Sequence, residues 1–196
     1  PRNPRDYTSI AVTTDDSNDE IVYASSMGDG VIQYKNGTPV QSYNEKNAFK
    51  ETAGGYGSGY CYIDGLAFDK NGNLWMTSSE VNHAVLVLDK AGAWHRLDIE
   101  QLRGVYTIND ILITSTNDKW IYVPRNTPKL VMIPNSESLD EVSSYEFTTL
   151  IDTDGKELTP SNYTCVAEDK DGYIWVGTNR GAVYFTKPRI SSAEDK

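Results

Sequence analysis

Short runs of apolar residues, separated by polar turn residues, recur along the whole chain and predict β-strands. The two clearest copies read IDGLAFDKNGNLWMTS, from Ile63, and YTCVAEDKDGYIWVGT, from Tyr163. In each copy an apolar strand leads into a D-K-(N/D)-G turn and then into a strand that carries Trp75 or Trp175. Apolar strands bounded by Asp, Asn and Gly are typical of hairpins. The pattern therefore predicts an antiparallel unit that repeats about every fifty residues.

Two further stretches repeat the pattern more weakly. They begin at Ser9 (SIAVTTDDSNDEIVYASS) and at Ile108 (INDILITSTNDKWIYVP), and they place Tyr23 and Tyr122 at the tryptophan position. Each of the four units continues into a third apolar run, and three of them continue into a more polar fourth run, as expected of an outer strand that faces water. The predicted units cover approximately residues 8–44, 60–98, 105–150 and 162–190.

Four-stranded units of this size cannot bury their own faces, so the repeat predicts the blades of a β-propeller. Trp75 and Trp175 are then expected to fill the space between adjacent sheets. The pattern of the fourth unit ends at Thr186-Lys187-Pro188, before an outer strand. Residues 1–7 contain two prolines, which disfavour a strand that would complete this unit. We therefore expect residues 1–196 to be an all-β segment of about four blades from a larger propeller, in preference to a closed four-bladed ring.

The net charge and the hydropathy of the sequence argue against a nucleic-acid partner and against a membrane-spanning helix. The 196 residues include 18 Lys or Arg and 28 Asp or Glu, so the formal net charge is −10, which argues against a nucleic-acid partner. The longest apolar run, Ala84 to Leu88, is far shorter than the roughly 20 residues of a membrane-spanning helix. Cys61 and Cys165 have no neighbouring Cys or His, so we expect two buried thiols in preference to a disulfide, and no metal or other cofactor.

The acidic turns are the first candidates for chemistry. The turn that begins at Asp169 recurs at Asp69 in the same place of its unit, which favours a tight hairpin with a positive-φ glycine over a calcium loop. Nucleophilic catalysis would need a base, and His83 and His95 both lie near outer strands, where a packing role is favoured. The glycine-rich stretch 53–60 lacks the lysine of a phosphate-binding loop.

The stretch VAEDKDGYIWVGTNRGAVYF, from Val166 to Phe185, resembles the repeat of the two-component regulator propeller family. The copy at Leu66 to Leu88 is similar to it, with Thr77 where the repeat has a glycine. The resemblance implies an extracytoplasmic propeller, in the periplasm or at the cell surface. Such propellers form the glycan-sensing regions of hybrid two-component systems or belong to surface proteins of type IX secretion. The family's repeat carries no catalytic residues, so the resemblance implies recognition or scaffolding.

Tyrosines stand at the start of each predicted inner strand, where the strands would meet at the mouth of the central channel. Aromatic rings beside amides and carboxylates suit the apolar faces and hydroxyls of a sugar. The predicted ligand-binding residues are Tyr7, Tyr56, Tyr60, Tyr62, Asp64, Tyr106, Asn109, Asp110, Asn162 and Tyr163. The alternative is that the tyrosines wedge between neighbouring blades and serve packing alone.

Three functions remain open at this point. The leading hypothesis is a non-enzymatic recognition propeller, either a sensor of a glycan-type or other small polar ligand or a scaffold for partner proteins. Self-association through open blade edges is a further predicted interaction. The alternative is a glycan hydrolase or lyase, which predicts convergent acids of raised pKa in the central channel.

Overall fold

Antiparallel sheets make up almost the whole fold. A computed structural model of the chain describes residues 6–49, 59–140, 142–151 and 154–185. The sheet that we call blade 1 contains β1 (Tyr7–Thr14), β2 (Glu20–Gly28), β3 (Gly30–Lys35) and β4 (Thr38–Tyr43). Blade 2 contains β5 (Cys61–Phe68), β6 (Leu74–Ser78), β7 (Val85–Leu88) and β8 (Trp94–Leu97). A 3₁₀ turn at Glu100–Leu102 follows blade 2.

The second half of the chain repeats this arrangement. Blade 3 contains β9 (Ile111–Ile113), β10 (Lys119–Val123), β11 (Lys129–Ile133) and β12 (Tyr145–Phe147). A two-stranded hairpin follows, with β13 (Leu150–Ile151) and β14 (Glu157–Leu158). Blade 4 contains, within the described residues, β15 (Tyr163–Glu168), β16 (Ile174–Thr178) and β17 (Gly181–Phe185). Residues 186–188, where the predicted pattern breaks, lie outside the described residues.

Within each blade, neighbouring strands pair in chain order as an antiparallel meander. The first strands of the four blades, β1, β5, β9 and β15, lie beside one another along the chain of blades. We call these the inner strands. The outer strand β4 is mostly exposed, as the polar fourth runs predict. This all-β arrangement is the predicted propeller fold.

An aspartate turn joins the first two strands of blades 2 and 4. Asp69 Oδ1 accepts the N–H groups of Asn71 and Asn73, each at 2.9 Å. Asp169 makes the same two bonds, and the glycine of each turn, Gly72 and Gly172, has φ +83°. These bonds and angles confirm the predicted tight turns, because an L side chain rarely adopts a positive φ.

The same turns align the four blades and correct one prediction. Their closing bonds run from the N–H of the first residue to the carbonyl oxygen four residues later, and they begin at Asp15, Asp69, Thr114 and Asp169. Counting from these turns, the position of Trp75 is occupied by Ile21, Trp120 and Trp175. Tyr23 and Tyr122 stand two residues further on, so their predicted equivalence to Trp75 is wrong. The weaker copies misled because both tyrosines also lie in apolar strands.

Among the described residues the hydrophobic core consists of three layers, one at each junction between blades. Successive residues of a strand face opposite sides of its sheet, so each blade contributes one side to each of its neighbours. Blade 2 presents Leu74 and Met76 to blade 1, and Trp75 to blade 3. Trp75 is 1% exposed, which confirms its predicted position between adjacent sheets. Trp175 is 41% exposed, because no described residue covers that side of blade 4.

Candidate functional site

Side-chain hydroxyl groups of blades 1, 2 and 3 donate hydrogen bonds to backbone carbonyl oxygens in or just before the inner strand of the following blade. Thr77 in β6 donates to the carbonyl oxygen of Asn109 at 2.8 Å and accepts the N–H of Gly65 at the same distance. Ser25 in β2 donates to the carbonyl oxygen of Asp64 at 3.3 Å, and Tyr122 in β10 donates to that of Thr164 at 3.2 Å. We call these three contacts the hydroxyl joints. They hold the inner strands together around the predicted channel mouth.

Gly65 allows an especially close approach at this place. A Cβ atom built on Gly65 would lie 2.7 Å from the backbone nitrogen of Ile111 and 2.8 Å from the Cα of Asp110. Both distances are shorter than real Cβ contacts, so any side chain here would push β5 and β9 apart. The glycine thereby allows its neighbour Asp64, in β5, to lie close to Asp110, just before β9.

Asp64 and Asp110 are the acids of this region. Ser79 Oγ donates to Asp64 Oδ2 at 2.7 Å, and Ser79 also accepts the N–H of Ile108 at 2.9 Å. Burial raises the pKa of Asp64 to about 6; the Ser79 bond opposes the shift and the charge of Asp110 adds to it. Loss of solvent contact raises the pKa of Asp110 as well. Two neighbouring acids of raised pKa are what the hydrolase alternative predicts.

Asn109 completes this polar group. Its Nδ2 donates to Tyr122 Oη at 3.2 Å, while Tyr122 Oη itself donates to the backbone of blade 4. The side chain therefore lies between the acids and the joint of blades 3 and 4. We call Asp64, Asn109 and Asp110 the mouth polar group.

The predicted tyrosines occupy different environments. The rings of Tyr60 and Tyr62 meet edge to face, with centroids 4.9 Å apart. Tyr106 is 60% exposed and precedes β9 instead of starting it. Tyr7 bonds through its hydroxyl to that of Tyr34 at 2.9 Å, across the outer side of blade 1. Its predicted position at the channel mouth is therefore corrected to a position over that side.

Tyr163 also requires a correction. Its side chain is 0% exposed and packs in the core between blades 3 and 4, where burial raises its pKa to about 12. A ligand at the channel mouth has no access to this ring, so Tyr163 is a packing residue, as the alternative interpretation of the tyrosines predicts. Among the described residues no partner reaches Asn162 Oδ1, although the backbone of Asn162 is tied to Asn179. Tyr56 lies outside the described residues.

The sequence analysis missed the hydroxyl joints, because Ser25, Thr77 and Tyr122 look like ordinary strand residues. One signal was available, since Thr77 replaces the glycine that stands at the equivalent position of blade 4, Gly177.

The expectation of two buried thiols is half right. Cys61 is buried, and desolvation raises its pKa to about 11, whereas Cys165 is exposed on the uncovered side of blade 4.

Metal-binding clusters and membrane-spanning helices were both sought among the described residues. In that part, no three His, Cys, Asp or Glu side chains are grouped closely enough to hold a metal ion. The same residues include no helix whose length and hydropathy would let it cross a membrane.

Comparison with known families identifies the repeat. The family model for the two component regulator propeller matches residues 157–180. This match includes the aspartate turn and Trp175 of blade 4, and it confirms the resemblance predicted from Val166–Phe185. A comparison with curated proteins gave no match.

Solved structures show the same fold. PorZ from Porphyromonas gingivalis, a bacterial surface component of the type-IX secretion system, aligns with a TM-score of 0.79 at 18% identity, over 90% of this chain and 24% of PorZ. An extracellular domain from B. thetaiotaomicron, BT4673, described as part of a hybrid two component system, aligns with a TM-score of 0.61 at 15% identity, over 92% of this chain and 22% of that chain. This chain thus spans about a quarter of either protein.

YCF48 is a third similar structure. YCF48 from Cyanidioschyzon merolae aligns with a TM-score of 0.53 at 13% identity, over 98% of this chain and 62% of YCF48. At such low identities the three alignments establish the propeller fold and do not identify a ligand.

Proposed function

We propose that the chain is a non-enzymatic, extracytoplasmic recognition propeller that binds a neutral, hydroxyl-rich ligand of the glycan type at its channel mouth. The observation that carries the proposal is the mouth polar group, together with the ring pair of Tyr60, just before β5, and Tyr62, in β5 itself. Carboxylate and amide groups pair with hydroxyls, and aromatic rings cover the C–H faces of a sugar. The family match and the likeness to an extracellular sensor domain support the same role and location.

The charge distribution favours a neutral glycan over a polyanionic one. Asp64 and Asp110 both belong to the mouth polar group, and the chain carries a net charge of −10. A sulfated or uronic-acid polymer would meet like charges there without a compensating cation from the mouth polar group. A neutral oligosaccharide would instead donate its hydroxyl protons to the carboxylates.

The test is binding of neutral and acidic oligosaccharides, screened on a glycan array and then measured by calorimetry. We expect neutral glycans to bind, and we expect Tyr62→Ala and Asn109→Ala each to weaken binding by about tenfold, which corresponds to about 1.4 kcal/mol. Tyr145→Ala is the matched control, because Tyr145 lies in the outer strand β12 and is 38% exposed. Equal losses in the control, or binding of polyanions alone, would contradict the proposal.

A hydrolase is the second candidate, because Asp64 and Asp110 have the raised pKa values that it requires. The two functions differ in the effect of Asp64→Asn on any glycan that binds. A recognition site predicts that the bound oligosaccharide stays intact with either protein. Release of new reducing ends by the original chain, abolished by Asp64→Asn while binding persists, would establish the hydrolase instead.

The likeness to PorZ supports a scaffold as a variant of the same non-enzymatic role. A scaffold predicts that no glycan binds and that the mouth variants leave protein partners unaffected. We also propose that residues 1–196 are a four-blade segment of a larger ring, since one side of blade 1 and one side of blade 4 lack a neighbouring blade among the described residues.

A further inference from the structure

At the junction of blades 2 and 3, the indole ring of Trp75 fills the space beside the aspartate turn. Trp75 is 1% exposed, and the ammonium group of Lys119 lies 4.4 Å from the centroid of its ring. Both residues are the middle members of rows that run across the strands of their blades. The two rows that face each other are Ala67–Trp75–Val87 in blade 2 and Ile113–Lys119–Ile133 in blade 3. A bicyclic ring thus closes this junction.

The junction of blades 1 and 2 has the same two rows without a tryptophan. Counting from the turns, Ile21 occupies the position of Trp75, and Leu74 occupies the position of Lys119. The equivalent rows are Thr13–Ile21–Lys35 in blade 1 and Phe68–Leu74–Leu88 in blade 2. At the junction of blades 3 and 4 the tryptophan is present as Trp120, which is 0% exposed. Blade 1 therefore lacks the ring that closes the two junctions after it.

A cleft of about 690 Å³ lies between the rows of blades 1 and 2, and all six of their residues line it. This volume falls within the range of about 300–1,000 Å³ that is typical of sites for small ligands. The ring of Phe68 meets that of Tyr23 edge to face at 5.9 Å, and Trp94, in the outer strand β8, also lines the cleft. The cleft between blades 3 and 4, where Trp120 forms part of the wall, measures about 470 Å³. Side chains of the protein therefore replace the missing indole of blade 1 only in part.

Blade 1 nevertheless retains the turn aspartate that accepts an indole N–H in blades 2 and 4. Asp15 Oδ1 accepts the N–H groups of Ser17 and Asp19 at 2.9 and 3.0 Å, as the turn aspartates of those blades do. There the other oxygen, Oδ2, accepts the tryptophan Nε1. Asp15 Oδ2 lines the cleft side of the turn and accepts Lys35 Nζ at 2.7 Å, which leaves it a second lone pair. The Lys35 bond holds the pKa of Asp15 below its usual range, so this acceptor is ionised at neutral pH.

We propose that this cleft binds an indole ring from outside the chain, carried by a free indole compound or by a tryptophan of another polypeptide. The ring lies between the two rows, as Trp75 does at the next junction, and donates its N–H to Asp15 Oδ2. The neighbouring rings of Tyr23, Phe68 and Trp94 suit a flat aromatic ligand. The cleft lies beside the turns that follow the inner strands, so the inference does not rest on the glycan site proposed at the channel mouth.

The first test compares indole with 1-methylindole, which has the same ring system and no N–H. Titrations of the 196-residue chain, followed by NMR, measure both affinities. We expect indole to bind about tenfold more tightly, because only indole donates a hydrogen bond to a charged acceptor. Asp15→Asn keeps an oxygen for the turn amides and replaces the acceptor by an NH₂ group, so it should remove the difference between the two probes.

The second test gives blade 1 its own indole through Ile21→Trp. The new side chain should occupy the cleft as Trp75 does at the next junction, and it should weaken indole binding by roughly tenfold or more, because two rings cannot share one packed space. Thermal unfolding should occur at no lower temperature than in the original chain. Ile151→Trp is the matched control, since Ile151 is 68% exposed, lies in β13 and does not line the cleft. This variant should bind indole as the original chain does.

A third probe, N-acetyl-L-tryptophanamide, identifies the source of the indole. It carries the indole on a capped backbone, as a polypeptide does. Binding at least as tight as that of indole supports a tryptophan side chain of a polypeptide as the ligand. Binding of indole alone supports a free indole compound.

Three outcomes would overturn the proposal. The first is that neither indole nor N-acetyl-L-tryptophanamide shows saturable binding. The second is that the original chain binds indole and 1-methylindole equally well. The third is that folded Ile21→Trp binds indole as tightly as the original chain; if this variant does not fold, the comparison of the two indoles decides by itself. None of these measurements uses a glycan, so their failure would leave the proposed function untouched.

Discussion

Among the described residues, Trp120 in blade 3 lacks the hydrogen bond that the equivalent tryptophans of blades 2 and 4 donate to their turn aspartates. In blades 2 and 4 the turn aspartate accepts the tryptophan N–H, and this bond also helps to hold the pKa of Asp169 below its usual range. In blade 3 the turn begins with Thr114, whose hydroxyl accepts the N–H of Asp118. Trp120 Nε1 is consequently buried without a partner among the described residues. A buried donor without a partner costs about 1–3 kcal/mol.

We predict that Thr114→Asp stabilises the protein. The new carboxylate would accept the turn amides with one oxygen and Trp120 Nε1 with the other, as Asp69 does for Trp75. Recovering part of the penalty for the buried N–H should raise the free energy of unfolding by about 1 kcal/mol. The measurement is urea denaturation of both proteins at pH 7.

A double-mutant cycle with Trp120→Phe provides the control, because phenylalanine keeps the ring packing and lacks the N–H. The gain from Thr114→Asp should disappear in that background. A gain of equal size in the Trp120→Phe background, or a loss of stability in both backgrounds, would show that the indole bond is not the cause.

At the scale of the strands, hydroxyl joints decide how closely the blades approach one another. Thr77 is 0% exposed and serves both Gly65 N–H and the Asn109 carbonyl oxygen. The local pattern of apolar residues predicted the meanders, but it missed the hairpin of β13 and β14 and misplaced the equivalents of Trp75 in blades 1 and 3. Strand registers and turn bonds had to be known to correct them, because apolar residues two positions apart share one face of a strand.

We predict that Thr77→Val destabilises the protein by about 2 kcal/mol, because it leaves two buried backbone groups without partners while it preserves the volume of the side chain. Thr77→Ser is the matched control: it keeps the hydroxyl and removes only a methyl group, so its effect should be smaller. Thermal unfolding measures the order of stability, and hydrogen exchange at Gly65 N–H should become faster in Thr77→Val alone. Equal destabilisation by both variants would assign the role of Thr77 to its methyl group.

For the whole molecule, net charge opposes the association of copies. Each chain carries a charge of −10, so two copies would repel each other, whereas the exposed apolar side chains of blades 1 and 4 favour the predicted self-association. We predict that raising NaCl from about 20 to 300 mM strengthens self-association, because the Debye length shortens from about 20 Å to below 10 Å. Sedimentation velocity at a fixed protein concentration is the measurement. Weaker association at high salt would mean that ion pairs dominate the junction.

The sequence by itself determined the fold class, the aspartate turns and the family resemblance. These features depend on short stretches, in which strand alternation, turn chemistry and a repeated motif are visible without any long-range contact. Only the tertiary structure decided that Tyr163 is buried, that Tyr7 lies over the side of blade 1, and that Asp64 and Asp110 are neighbours. Those properties arise from contacts within and between blades, where packing that no local pattern encodes brings together residues that are distant in the sequence.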